Sequence, residues 1–542
     1  MRALLGLLGL ALIAGCGDSS EDGADGPGST GAGAGSQGAG PSTGGGSNGG
    51  AGAGAGGSSS NSGGTGGGVE LPGSVDVTFS SNGASGMTRV NFALPLTEGT
   101  LGDAALVSVS VAGNEIPRAS RGLGAFADGS FRSVQLQIDI DPAAVTSATI
   151  SLGAAASAEL ELDPVESTLV DPDGESGPLV YTLIPASWLS ASGFAGPLVP
   201  EADVAGTDLD AWSTLCDYDG FDTAAFIADG AATTRAVWLY DRGTALYRGY
   251  APRDTLSPLA SAYVETSMYR NLITGSGTSA RNGLPQGSAS DPKYQYAQNL
   301  ALHYLLTGDD RFRDSAEDMA LGMTELWPSP GYAGGDDSWT ERNAGFALLA
   351  YSWAAMVSDD MSTALWASAD DAVTAYLDVQ ATYPVGYDDT EARCFAHHGD
   401  AHDPEEGNPY FGCSPWMSAI LADGLDVYAR HRDGGLATEA NDSLVLLGRM
   451  IAREGLDDTG NPFYWMGVDT PENAIDDYLE HIGESAYTVA LAYAKSGGSD
   501  VELRAAADAL VAKFKNEGEV GQIRSFNWQC RSAVMTPSFL LP

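Results

Sequence analysis

Between residues 396 and 416 the chain reads AHHGDAHDPEEGNPYFGCSPW, which gathers three of its six histidines (His397, His398 and His402) with four acids, Asp400, Asp403, Glu405 and Glu406. Imidazole titrates near neutral pH, so His397 or His398 is a candidate general base, and Tyr410 is a candidate acid. Arg342 and Asn343 open a helical pattern, where their side chains and free backbone donors suit a carboxylate. Base, acid and carboxylate clamp together are what β-elimination beside a uronate carboxyl group needs. A proton leaves C5, the departing oxygen gains one, and the enolate-like charge is neutralised. His481 is a further candidate, off the packing stripe of a helix expected over residues 472–495. Asp477 and Glu484 lie four and three residues from it, and the plainer expectation is a charge-assisted pair on that helix.

Zinc requires about four converging ligands. The His398–His402 spacing suits a helix, but GDAHDPEEGNP is rich in turn formers and breaks one. No metal is therefore assigned, and no nucleotide loop, dinucleotide fingerprint or Ser-His-Asp motif points to another cofactor. Trp339, Trp416 and Trp465, with Trp327 and Tyr332, are candidates for stacking on sugar rings. Tyr296 and His303, with Asn299, form a narrow polar strip on an otherwise apolar helix expected over 292–307, so both are candidates for facing an enclosed substrate.

Two periodicities position these residues. From 74 to about 165, segments such as VDVTFS, LVSVSVAG and FRSVQLQIDI alternate with a period of two between Gly, Asn and Asp turns, which predicts an antiparallel sandwich or barrel. Beyond about 250 the period becomes helical, and four stretches repeat one plan: an apolar helix, a short Gly/Asp turn, an amphipathic helix. Such αα-hairpins predict an α/α toroid whose inner helices are covered nearly all round. The expected domains are a β domain over 71–180 and an all-α toroid over 181–542.

RVNFALPLTEGTLGDAALVSVSVAGNEIP (residues 89–117) and FADGSFRSVQLQIDI (126–140) resemble the N-terminal β domain of exo-rhamnogalacturonan lyase-like proteins. A β domain before an α/α toroid is similar to the organisation of several polysaccharide lyase families, and related toroids occur in glycoside hydrolases. The resemblance implies a polysaccharide substrate and a lyase. Two alternatives stand beside it. One is a hydrolase using paired carboxylates drawn from Asp336, Asp337, Glu341, Glu405, Glu406 and Asp477. The other is a glycan-binding protein without activity, in which Trp327, Trp339, Trp416 and Trp465 only stack sugars.

Residues 1–15 read as a signal peptide, a short basic start before an apolar run too short to span a bilayer. Ile13-Ala14-Gly15-Cys16 resembles the lipobox of bacterial lipoproteins, which implies lipidation of Cys16 and an exported chain held to a membrane by that lipid. Residues 16–70, nearly all Gly, Ser, Ala, Thr and Asn, predict a disordered tether. The formal charge of −45 excludes nucleic acid as a partner, since phosphate binding needs clustered cations. It also weighs against an anionic glycan unless a local basic pocket exists. Four cysteines remain, an even number in an exported chain. Cys394 with Cys413 closes a short loop and leaves Cys216 with Cys530, although three pairings stay open.

Overall fold

Alternation builds the first domain as predicted. The computed structural model describes residues 71–327, 339–402, 410–468, 473–475 and 479–541; the signal segment, Cys16 and the tether lie outside them. In β1 (Ser74–Ser81), Val75, Val77 and Phe79 turn inward while their neighbours face solvent. With β2 (Thr88–Pro95), β3 (Val107–Val111), β4 (Asn114–Ile116), β5 (Arg118–Ala125), β6 (Phe131–Ile140), β7 (Ser147–Leu152) and β8 (Val180–Leu183), it forms two antiparallel sheets, ordered β4-β3-β7-β1-β8 and β2-β6-β5. Through β8 the first sheet extends to Leu183.

The helical domain follows, as the change of period predicts. Its hairpins are α1 (Arg242–Tyr250) with α2 (Leu256–Leu272), α3 (Gln298–Thr307) with α4 (Asp310–Leu326), α5 (Glu341–Val357) with α6 (Ser362–Thr382), α7 (Pro415–His431) with α8 (Gly435–Glu454), and α9 (Ile482–Lys495) with α10 (Val501–Glu517). The first of these was not among the four expected. The first helix of each pair packs on the next, from α1 through α3, α5 and α7 to α9, and the segment 526–533 packs on both α9 and α1, closing the ring. Inner helices are apolar all round: in α5 every residue is buried except Arg342 and Asn343. Outer helices are two-faced, α8 burying Ala437, Ala440, Leu444, Leu447 and Ile451 at spacings of three and four. Among the described residues no helix is long and apolar enough to cross a membrane.

Three features hold the ring shut. Gly345 and Gly424 let α5 and α7 cross almost backbone to backbone, since a Cβ on Gly345 would overlap the Ile420–Leu421 peptide. The Cys216–Cys530 disulfide, with Cα atoms 5.7 Å apart, ties the start of the helical domain to its end. At the axis Asp423 of α7 accepts from Arg248 of α1, with both oxygens at 2.9 Å, and pairs with Arg531 at 2.9 Å, all three being at most 1% exposed.

The β2-β6-β5 sheet covers the C-terminal ends of inner helices. Those ends leave carbonyls without intrahelical partners, and this face supplies buried donors. Asn91 donates to Thr307 O and Ser133 Oγ to Leu305 O, each at 2.7 Å, and Arg121 donates to Gly308 O at 2.6 Å. Gly124, at φ 54°, brings β5 against the carbonyl of Met356 at the end of α5. The N-terminal ends of the inner helices converge at the opposite end of the ring.

Candidate active site

The two irregular segments around 387–416 and 456–477 are not simple loops. They form a four-stranded antiparallel sheet, β9 (His397–His398), β10 (Phe411–Cys413), β11 (Phe463–Gly467) and β12 (Asn473–Ile475), in the order β12-β11-β10-β9. The Cys394–Cys413 disulfide, Cα atoms 6.4 Å apart, pins this sheet where β10 leads into α7. Gly412 is required there because the Trp465 ring lies where a Cβ would stand. Glu341, the first residue of α5, joins sheet to ring: its Oε2 is 2.7 Å from His397 Nδ1, and its Oε1 accepts from Ser414 N at 3.1 Å.

Under the sheet, aromatic side chains from three inner elements pack together. Trp416, in the first turn of α7, lies parallel to the His481 imidazole, with centroids 4.4 Å apart. Trp528 also packs on His481, at 5.0 Å, with its centroid 6.2 Å from that of Trp416, so the three rings form a triangle. Both indole N–H groups donate to backbone carbonyls, Trp416 to Tyr464 and Trp528 to Glu480, so neither ring is free to turn. A guanidinium lies beside each indole: Arg342 is 5.7 Å from the Trp416 ring and Arg524 5.6 Å from the Trp528 ring. Tyr464 of β11 stacks on Trp416 at 5.3 Å and is 36% exposed. Tyr240, just before α1, reaches Trp416, Trp528 and Phe346. It and Asp241 hold consecutive left-handed conformations, φ 70° and 57°, an uncommon arrangement for non-glycine residues.

His481 Nδ1 lies 2.9 Å from Glu484 Oε2, one turn into α9. Burial, and then the Arg524 charge, push the imidazole pKa down to about 3. The carboxylate opposes this and stabilises an imidazolium once one forms. Burial likewise keeps the Tyr240 phenol protonated, while Arg342 remains charged despite burial, beside Tyr240 and Tyr464.

Of the residues selected from the sequence, Arg342, Trp416 and His481 come together, with Asn343 beside them in the first turn of α5. His397 is fully buried against Glu341, with both ring nitrogens out of reach of solvent. Adjacent strand residues face opposite ways, so His398 turns from Glu341 and sets its edge on Phe411. Tyr410 is exposed next to β10. Trp339 is buried in the core, edge-on to Tyr376, and Trp465 is buried over Gly412; neither presents a face to a sugar. Trp416 is buried too, its faces taken by His481 and Tyr464, so it is floor rather than platform. Tyr296 uses its hydroxyl internally, accepting from Tyr240 N and donating to Trp238 O. His303 stacks on Phe312 at 3.8 Å and bonds Tyr247 at 2.7 Å, away from the mouth. The helix carrying His481 begins at Ile482, not near 472, which makes His481 its N-cap residue.

Tyr240, Tyr464, Glu484, Arg524 and Trp528 complete the cluster. Only Glu484 carried a signal, its spacing from His481. The remaining loop candidates, Tyr332, Asp336, Asp337, Asp403, Glu405, Glu406 and Asp477, lie outside the described residues. Among the described residues no three His, Cys, Asp or Glu side chains converge as a metal site would require.

No protein-family profile matches the chain, and no curated protein matches it. A solved structure described as a polysaccharide lyase is similar over 60% of this chain and 97% of its own, with 10% sequence identity and a TM-score of 0.39.

Proposed function

We propose that the protein is an exported, lipid-anchored polysaccharide lyase that cleaves a uronate-containing glycan by β-elimination. One observation carries this reading: the His481–Glu484 pair and Arg342 share one aromatic floor where the inner helix N-termini meet. In this scheme Arg342, with backbone donors of the first turn of α5, takes the uronate carboxylate. Those donors favour anions through the helix dipole. Neutral His481 donates Nδ1–H to Glu484 and offers Nε2 to the C5 proton. Glu484 stabilises the imidazolium that results, and Tyr464, the exposed phenol over Trp416, protonates the leaving oxygen. Tyr240 holds Arg342 in place.

The paired-carboxylate hydrolysis reading is weaker, because Glu341 and Glu484 are each turned to an imidazole. Incubation with a panel of polysaccharides separates the two. Unsaturated uronate absorbance together with new reducing ends is the expected result, and reducing ends alone would replace the lyase with a hydrolase. On a substrate so identified, Arg342→Ala and His481→Ala should each lower kcat/KM by at least a hundredfold, since such acid–base and charge-stabilising groups typically contribute that much. Unchanged turnover in both variants would refute the scheme.

A further inference from the structure

Arg524 has no part in the scheme above, yet its setting is unusual for this chain. The protein carries 71 acids against 26 lysines and arginines, and several buried cations are matched by carboxylates, Arg248 and Arg531 by Asp423, Arg430 by Asp426 and Arg242 by Glu265, while the buried Arg393 is held by three backbone carbonyls. Among the described residues no carboxylate lies within ion-pair distance of Arg524, and its Nε is buried without a hydrogen-bond partner. The same holds for Arg342. A guanidinium keeps its charge at any working pH, and leaving a buried donor of a charged group unsatisfied is costly. Two such groups flank one aromatic cluster, Arg342 on Trp416 and Arg524 on Trp528, and both of those rings pack on His481.

We infer that Arg524 forms a second anion subsite, so that the glycan bound here carries acidic groups on both sides of the scissile bond rather than on one sugar alone. This rests on the proposed role of Arg342 as the first carboxylate clamp. Arg342 takes the uronate whose C5 proton is removed, and Arg524 takes an acid on a sugar across His481. The planar fork of arginine binds a carboxylate with two parallel hydrogen bonds. The aromatic rings between the two cations give the intervening sugar an apolar floor.

The test uses the full chain and calorimetric titration with trisaccharides of galacturonate, glucuronate, mannuronate or guluronate, each beside a form with a single carboxylate. For the trisaccharide that binds, Arg524→Gln should weaken affinity about tenfold, as expected for one charge-assisted contact. It should leave the single-carboxylate form unchanged, and Arg524→Lys should restore part of the loss. Arg342→Gln should weaken both forms. If Arg524→Gln binds the full trisaccharide like the parent while Arg342→Gln does not, the second subsite is wrong and the first stands. If neither substitution matters, or no acidic trisaccharide binds, both are wrong. Should a sulfated trisaccharide bind instead, with the same dependence on Arg524, the subsite exists and its acid is a sulfate ester. Among the described residues Arg524 anchors no backbone carbonyl, so an unfolding midpoint equal to the parent's is expected for both of its variants.

Discussion

Asp423→Asn tests how the ring is held closed. The Asp423 carboxylate sits on the axis with both oxygens on Arg248 and one also on Arg531, each contact at 2.9 Å and each side chain at most 1% exposed. Burial by itself would raise its pKa, but the two guanidinium groups outweigh that and hold it below the usual carboxylate range. An asparagine keeps the shape and removes the charge, leaving two buried cations facing each other. Breaking a buried ion pair from one side costs about 3–5 kcal/mol. Here the lower figure applies, because Arg248 still donates to Ala195 O and Arg531 O, and Arg531 to Gln298 Oε1. A loss of about 3 kcal/mol is a large share of the roughly 5–15 kcal/mol that holds a typical domain folded. Urea unfolding at pH 7, followed by circular dichroism, should show it as a lowered midpoint. A loss below about 1 kcal/mol would mean that desolvation cancels the attraction. Closure would then rest on the Gly345–Gly424 crossing and the Cys216–Cys530 bridge. The sign with pH follows from the depressed carboxylates. For Asp426, held at about 2 by Arg430 and Lys495 against the cost of burial, the stabilisation is present above about pH 4 and is lost as pH falls toward about 2, and for Asp423 it is lost likewise as pH falls below the usual carboxylate range.

Replacing both Cys394 and Cys413 by serine should release the rim sheet from α7. Closing a loop of this size is worth roughly 3 kcal/mol, so limited proteolysis should cut between the two positions while far-ultraviolet dichroism of the ring is retained; an unchanged cleavage pattern would show that Glu341 alone holds the sheet. His303 is buried neutral, its pKa pushed down to about 3 by burial, so the unfolded chain takes up a proton below about pH 6.5 that the folded chain refuses. Stability should therefore fall as pH drops from 6.5, and His303→Phe should flatten that slope by up to about 1.4 kcal/mol per pH unit. Equal slopes would refute the reading, whatever the variant's stability at pH 7.

Periodicity made the architecture legible. Alternation in β1 and the three-and-four spacing in α8 follow directly from one buried face per element. The first hairpin escaped because α1 carries Arg242 and Arg248, which a pattern reading assigns to the surface. Only the fold reveals Glu265 and Asp423 as their buried partners. The rim sheet escaped for a different reason: β9, β10 and β12 are too short to show a period, and a disulfide and cross-strand pairing define them rather than propensity. Histidine count drew the eye to 397–402, whereas what each imidazole packs against separates them. His397 spends its contacts on Glu341, while His481 sits at a helix start whose position the sequence pattern placed some ten residues too early.

Net charge is a coarse guide for a related reason. A total of −45 describes the far field, and salt screens exposed charges beyond about 8–10 Å. What an anionic sugar meets at the mouth is set by nearer groups. There, among the described residues, Arg342 and Arg524 lack carboxylate partners, while Glu341 and Glu484 each face an imidazole. Inner helices add their N-terminal dipoles at the same end, each equivalent to about half a positive charge. The negative end of α3 is met at the far side by Asn91, Ser133 and Arg121 of the β domain. The two-domain order thus has a physical consequence: the sheet satisfies the C-terminal carbonyls of that helix, while the helix N-termini lie at the opposite end of the ring. If that end binds an acidic oligosaccharide, the affinity should weaken only mildly between low and physiological salt, because the charges that would act on it are partly buried and poorly screened. A steep salt dependence would instead locate binding on exposed surface cations, and the mouth of the ring would lose its claim.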